Sequence, residues 1–365
     1  MKILMTLSNP FIHDLRVYYE AQSLVQAGHQ INLVAWDRHS AYPPNEVIDN
    51  ISVQRIQNNW VMQALWRKPF QLPIFWQRAC KWTLHQEFDA VHCHDLDTLM
   101  IGIKIKSQRP VKLVFDAHEI FTYLIQRDLT RLFTRFYKNL EKKAATLVDH
   151  LIVADESYRP YFENIGYNCI TSVLNTKPIL SQHYQAPRNE RFTLLYIGTL
   201  TRARFILELI EVVQTLPKIR LIIAGLGPLA HQVEERCRSV ENITFLGAVP
   251  RDQVLPMTAK SDVVVCMIDP ADENNRIASA NKQFEAMVAG RPIIVTKGTR
   301  SGQITAEENC GLVIDFNKVA LKSAILHLSD HPELCEQLGR NALKAALTKY
   351  NWEIDQKKLI EIYAE

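Results

Sequence analysis

The sequence predicts an α/β protein made of two successive doubly wound domains. Three observations carry this. Short runs rich in β-branched residues recur along the chain, from KILMTL at 2–7 to GLVIDF at 311–316. Amphipathic stretches of helical period separate them, which is the pattern of parallel strands covered on both faces. A polar interval with two prolines, NTKPILSQHYQAPRNER at 175–191, divides the series in two. At 365 residues and 47% hydrophobic content, the chain also exceeds what one core usually organises.

In order, KILMTL reads as the first strand. A helical pattern follows from about Arg16 to Ala27 and is stopped by Gly28. INLVAW (31–36), AVHCH (90–94), VKLVFDA (111–117), HLIVA (150–154) and CITSVL (169–174) continue the first half. TLLYIG (193–198), IRLIIAG (219–225), ITFLG (243–247), DVVVCMI (262–268), PIIVT (292–296) and GLVIDF build the second. The closing YNWEIDQKKLIEIYAE is a helix. The boundary falls near 176–190, giving a domain over 1–180, a second over 185–349, and a terminal helix over about 350–365.

The net charge of +3 gives no reason to expect nucleic acid. No apolar run reaches the ~20 residues of a membrane span, and the N-terminus lacks a secretory cleavage pattern. Seven scattered cysteines without a CxxC pair fit reduced thiols in a cytoplasmic protein.

Ligands of doubly wound sheets bind outside the carboxyl ends of the strands, so the residues after each run are the candidates. After the first come Asp14 and Arg16, either a helix cap with a surface arginine or a polar pair facing a ligand. After AVHCH comes Asp95, with Asp97 beyond; either acid could cap the next helix. His92 and His94 alternate and so share one side of the strand. No further metal ligand stands near them in sequence, and no metal site is expected. His94 is instead a candidate substrate contact. VKLVF is followed by Asp116, His118 and Glu119, and a histidine there could orient or deprotonate a hydroxyl. In the second half, Gly198 and Gly225 allow close backbone approach at strand ends. Arg202 and Arg204 precede a helix, an arrangement suited to phosphate. SANKQFEAMVAGRPIIVT (279–296) reads as a helix, a glycine stop and a strand. Ser279 or Asn281 could cap this helix, Lys282 could reach an anion, and Glu285 could hold a vicinal diol such as ribose.

The order of these motifs resembles the large retaining glycosyltransferase family 4. DLRVYYEAQSLVQAGHQINLV, FDAVHCHD, FDAHEIF, YIGTL, LIIAGLGP, FLGAVP, NKQFEAMVAGRPII, CGLVI and YNWE fall in the family's sequence over nearly the whole chain. KQFEAMVAGRPII is the most specific of them. The resemblance implies a GT-B fold, two Rossmann-like domains facing across a cleft, with the last helix packing back on the first. It implies a nucleotide-diphosphate sugar as donor substrate, with no further cofactor and no metal, and a glycan or lipid-linked acceptor. Glu285 matches the ribose-binding glutamate of the family's paired-acid motif. Arg204 matches its diphosphate-binding residue, and His118 its first-domain histidine near the donor sugar. Gly198, Arg202, Gly225 and Asn281 would line the donor, with Lys282 acting on the leaving group. Asp14, Arg16, His94, Asp95 and Glu119 would lie on the acceptor side.

Two positions depart from the family. Ile277 stands where the first acid of the motif belongs, leaving Asp272, Glu273 or Asn281 with Lys282 to replace it. Thr199 stands where a basic residue is usual, and Arg202 could cover for it. A non-catalytic sugar-nucleotide-binding scaffold and a sugar-nucleotide 2-epimerase are the alternatives to a transferase. Residues 60–82 hold four of the six tryptophans, and Arg127, Arg131, Arg135, Lys138 and Lys142 repeat at helical spacing. Leu129, Leu132, Phe133, Phe136 and Leu140 would form the opposite face. A surface helix with an apolar face on the core explains the pattern, as does attachment to an anionic membrane.

Overall fold

The computed structural model describes residues 1–12, 14–57, 68–125 and 131–364. The chain divides into two compact units, one of residues 1–174 with 356–365 and one of residues 175–355.

In the first unit the described strands are β1 (Lys2–Leu7), β2 (Gln30–Asp37), β3 (Asn45–Ile48), β4 (Ile51–Gln57), β5 (Ala90–His94), β6 (Lys112–Ala117), β7 (His150–Val153) and β8 (Ile170–Ser172). They form one sheet in the order β3-β4-β2-β1-β5-β6-β7-β8. All pairings are parallel except β3 with β4, a hairpin at the sheet edge. The strand survey above missed both of these strands. β3 is largely exposed, and β4 alternates in burial, as in the exposed Ser52 between buried Ile51 and Val53. That half-exposed pattern lacks the continuous apolar run that marks a central strand.

Ile3, Leu4, Met5, Leu33, Val91, Leu113 and Leu151 are wholly buried along the central strands. Helix Leu15–Gln26 buries Val17, Ala21 and Leu24, spaced i, i+4 and i+7 as one helical face requires. Asp14 caps it by accepting from the Val17 amide at 3.2 Å, and Gly28 leaves it at φ 88°. The order reverses at β1, whose neighbours are β2 and β5. The carboxyl ends of β1, β5 and β6 are therefore this sheet's ligand edge.

The second unit holds β9 (Phe192–Ile197), β10 (Ile219–Ala224), β11 (Ile243–Phe245), β12 (Val263–Cys266), β13 (Ile293–Thr296) and β14 (Gly311–Ile314). All are parallel, in the order β11-β10-β9-β12-β13-β14. Its reversal lies between β9 and β12. Helix Ile206–Val213 buries Ile206, Leu209, Ile210 and Val213 against this sheet, and helix Asn281–Val288 buries Phe284, Ala286, Met287 and Val288.

The closing helix, Trp352–Ile362, begins with second-unit contacts. The Trp352 amide donates to the Lys177 carbonyl at 3.1 Å, and Thr176 Oγ1 donates to Asp355 at 2.7 Å. From Gln356 the chain belongs to the first unit. There Ser23 Oγ bonds Gln356 at 3.1 Å, Lys112 Nζ bonds the Ile362 carbonyl, and Leu359, Ile362 and Tyr363 are buried.

Candidate active site

In the second unit, β9 delivers the chain to Gly198 and β12 delivers it to Met267, on either side of the reversal. Gly198 has φ 151°, and a Cβ on it would stand 2.6 Å from Lys282 Nζ. Gly225 has φ 142°, and its Cβ would meet the Gly198 carbonyl oxygen at 1.8 Å. A side chain at either position would collide, so the glycine at 225 is needed to let two strand ends pass.

Past Gly198, a single 3-10 turn at Arg202–Arg204 leads into helix Ile206–Val213. The Ala203 carbonyl accepts from the Asp269 amide at 2.9 Å, tying this turn to the loop after β12. Helix Asn281–Val288 starts without a side-chain cap. Ala280 holds the cap position, and Ser301 Oγ accepts from the Ala280 amide at 3.1 Å. The expected caps Ser279 and Asn281 do not serve, because the next helix supplies the anchor. Asn281 is exposed.

Lys282 extends over the Tyr196 ring, its Nζ 4.5 Å from the centroid. Burial raises the Tyr196 phenol, and the charges of Lys282 and Arg204 reach it and oppose that shift. Burial likewise raises the Cys266 thiol, which feels Lys282, Arg204 and Glu285 together. These three charged residues therefore converge around Tyr196 and Cys266 at the ends of β9 and β12. Neither Lys282 nor Arg204 has an acidic partner among the described residues. Glu285 is 9% exposed and makes no hydrogen bond among them. Two cations without an acidic partner beside a carboxylate without a hydrogen bond form a set that a polar, anionic ligand can complete. Arg202 is exposed.

The acids that might have replaced the one absent at 277 are engaged locally. Asp272 caps helix Glu273–Ile277 through the Asn274 amide at 2.9 Å, and Glu273 lies 3.6 Å from Arg276. Lys282 is the group left facing the site. Tyr196 and Cys266 went unnoticed in the sequence because each lies inside an apolar run, where an aromatic or a thiol reads as core.

In the first unit, the corresponding edge is a buried polar cluster. Arg16, 4% exposed, grips Asp116 with two bonds, Nη2 to Oδ1 at 2.7 Å and Nε to Oδ2 at 3.2 Å. It also donates to the Val173 carbonyl at 2.8 Å and lies 3.0 Å from Glu20. It is neither a surface arginine nor open to a substrate. Its guanidinium is fully used because a buried carboxylate must be neutralised. His94, 1% exposed, bonds Asp116 at 3.1 Å and is likewise closed to solvent. Asp95 occupies the cap position of helix Leu96–Lys106 but caps nothing. Asp14 bonds Asn9 at 2.9 Å as well as its helix, and Glu119 is half-buried.

His92 and His94 do have ligand-type neighbours in space. Glu20, His92, His94 and Asp116 place one potential metal-ligating atom each within 4.8 Å of one another. Any cation there would stand against the Arg16 guanidinium. Asp116 Oδ2 already takes bonds from Arg16, His94 and His118.

Burial would raise the Asp116 pKa, but Arg16 and His118 hold it well below the usual carboxylate range. Glu20, buried and beside Asp116, is pushed up to about 8 despite Arg16. Burial would lower the His118 pKa, yet the charges of Asp95 and Asp116 and the Asp116 bond raise it to about 10. The expectation that His118 could accept a proton near neutrality therefore fails. As an imidazolium it has no free lone pair.

Family models match both units. Residues 15–174 match the model of Glycosyltransferase Family 4, and residues 191–331 match that of Glycosyl transferases group 1. The chain belongs to glycosyltransferase family 4. This glycosyltransferase has the GT-B fold of two Rossmann-like domains that its motifs implied. It is 22% identical to a phosphatidyl-myo-inositol mannosyltransferase of Mycobacterium tuberculosis, over 80% of this chain and 77% of the relative. In structure it is similar to the sucrose-phosphate synthase of Thermosynechococcus elongatus, with a TM-score of 0.79 at 17% identity, covering 100% of this chain and 98% of that one. It is also similar to the Anabaena protein HepE, solved in complex with UDP-glucose, with a TM-score of 0.76 at 14% identity, covering 100% and 99%.

Proposed function

We propose that this glycosyltransferase moves a sugar from a nucleotide-diphosphate sugar to a hydroxyl of a glycan or lipid-linked acceptor, with retention of anomeric configuration and without a metal. The observation that carries the reading is the buried, unpaired Glu285 beside the unpaired cations Lys282 and Arg204. A carboxylate accepts two hydrogen bonds from a ribose diol, and the cations neutralise a diphosphate. Lys282 and Arg204 supply the charge compensation that a metal gives elsewhere. The bond from the anomeric carbon to the diphosphate oxygen breaks as the acceptor oxygen bonds that carbon from the same face. The acceptor proton passes to the departing phosphate oxygen. Binding of UDP-glucose by HepE, a protein of the same fold, is in keeping with such a donor.

The test is a thermal-shift screen of UDP-, GDP-, ADP- and dTDP-sugars, since a ligand of the folded state raises the midpoint. One donor class is expected to raise it. Lys282→Ala and Arg204→Ala are each expected to weaken that donor by about 10- to 150-fold, the worth of a charged hydrogen bond. No shift with any donor would sink the reading. A shift without transfer to any acceptor would point to a binding scaffold.

We further propose an acceptor in surface polysaccharide or glycolipid synthesis, met by a cytoplasmic protein on the inner face of a membrane. Among the described residues no helix is long and apolar enough to cross a membrane. Arg135, Lys138 and Lys142 are exposed on helix Arg131–Ala144, a basic face suited to anionic headgroups. The whole net charge of +3 lies in residues 1–185, with 20 Lys and Arg against 17 Asp and Glu. A lipid is also the acceptor that the mycobacterial relative's name gives. The tryptophans support this less. Trp76 donates to the Asp97 carbonyl at 2.5 Å, while Trp60 and Trp66 lie outside the described residues, as do Arg127 and Leu129 and the side chains of Arg131, Leu132, Phe133 and Phe136. Flotation with vesicles containing anionic lipid at low salt is expected to carry the protein upward, and Lys138→Glu with Lys142→Glu to abolish it. Protein left at the bottom of the gradient would remove the membrane from the proposal.

A further inference from the structure

Asp95 is the most strained described residue at the ligand edge of the first sheet. Its φ of 60° and ψ of 163° lie in a region that residues with a side chain almost never occupy. It stands at the cap position of an eleven-residue helix, where aspartate normally bonds a helix amide, and it makes no such bond. The backbone is held there by the Asp95 amide, which donates to the Asp116 carbonyl at 2.8 Å. What the strained conformation achieves is a grip on one residue. Oδ1 accepts from the His118 amide at 3.1 Å, and Oδ2 faces His118 Nδ1 at 3.4 Å. The opposite ring nitrogen, Nε2, bonds Asp116 at 2.8 Å.

We propose that Asp95 is a positioning residue for sugar transfer, fixing both the orientation and the positive charge of His118. This rests on the reading of His118 as the first-unit histidine beside the donor sugar. The two carboxylates divide the work. Asp116 is wholly buried and shares its charge with Arg16, whereas Asp95 and His118 keep side-chain exposures of 36% and 19%. The Nδ1 edge is thus the one a substrate hydroxyl can reach, and Asp95 joins Asp116 in keeping a proton on the ring. His118 then acts as a fixed donor and cation.

The surroundings allow this assignment. From helix Leu15–Gln26, Arg16 opposes the charge on His118, while Asp14 and Glu20 face the cluster. From β5, His92 and His94 are both lowered, chiefly by burial, and stay neutral. Burial, with the charges of Asp97, Asp116 and Glu119, raises Asp95 itself to about 7 against the pull of His118, so its charge is held largely by its contact with the His118 ring.

The experiment follows His118 by NMR of histidine-labelled protein, assigned against His118→Gln, together with steady-state kinetics on the donor found above. In the unsubstituted protein His118 is expected to stay protonated through pH 8. Asp95→Asn keeps an oxygen for the His118 amide but removes the charge. It is expected to lower the His118 midpoint by about one to three units. It should also cut kcat about tenfold or more, with the KM for donor nearly unchanged. Asp95→Ala, which loses the amide contact too, should do both more severely. Titration of His118 near 6.5 in the unsubstituted protein would overturn the proposal, as would an Asp95→Asn variant with an unmoved midpoint or an unmoved kcat. Because the NMR midpoint needs no substrate, failure of the transferase reading itself would show separately, as the absence of any donor response.

Discussion

Glu285→Gln is expected to leave the ligand-free protein about as stable as before and nearly blind to its donor. In the free protein this carboxylate makes no side-chain hydrogen bond among the described residues, so an amide of the same shape breaks none. The same substitution removes the charge that receives the ribose hydroxyls. A hydrogen bond to a charged group is worth about 1.5–3 kcal/mol, so donor affinity should fall by about 10- to 150-fold. Affinity lost without stability lost is what a residue kept for binding should show. Differential scanning calorimetry gives the stability and titration calorimetry the affinity. A destabilised variant that still binds its donor at full strength would show that Glu285 is a packing residue.

Arg16→Met is expected to cost the first unit about 3–5 kcal/mol, the usual loss when one partner of a buried ion pair is removed. Asp116 would then be left in the interior with only histidines to neutralise it. Arg16→Lys should recover only part of the loss, because an ammonium cannot make the two-pronged contact. The pH profile of this unit draws on several groups. Asp116 is depressed, so its contribution is present above the ordinary carboxylate range and is lost as pH falls through and below it. His118 is raised to about 10, so its contribution is full below about 6.5 and disappears as pH rises from there towards 10. Glu20 is raised to about 8 from 4.5. It holds a proton that the unfolded chain releases, so its contribution is also lost across that interval. Below about pH 7 the lowered His92 and His94 act against the raised Asp95 and Glu20; above it, stability of the first unit should decline towards pH 10, more shallowly once His118 is replaced by Gln. Urea unfolding followed at several pH values would measure this. A flat profile between pH 7 and 10 would mean that Glu20 and His118 carry ordinary proton affinities.

What could be read from the sequence was what neighbouring residues encode. Central strands showed themselves as apolar runs, and helix Asn281–Val288 was legible because Lys282 and Glu285 stand within one turn of each other. Arg204 was legible from its place just before its helix. The strands β3 and β4 were lost because β3, at the sheet edge, is largely exposed and the apolar residues of β4 alternate. Arg16 was misjudged because its partner, Asp116, lies 100 residues further along the chain. No local period records such a pairing. The same distance hid the charge on His118, which depends on Asp95 and Asp116 converging on it from two strand ends. Where a residue's chemistry is set by groups brought together only by the sheet, its type suggests a role and leaves its protonation state open.

The return of the chain at Gln356 has a consequence for biosynthesis. The first unit's strands come early in the chain, yet its closing side chains are made only after the second unit. Tyr363, whose hydroxyl bonds His92 Nδ1 at 2.7 Å, arrives after the entire second unit has been made. Until then, the nascent first unit presents His92 and its neighbour Glu20 without the lid that seals them. The earlier-made unit is thus completed only after the later one, and loss of Tyr363 would be felt at the histidines of β5.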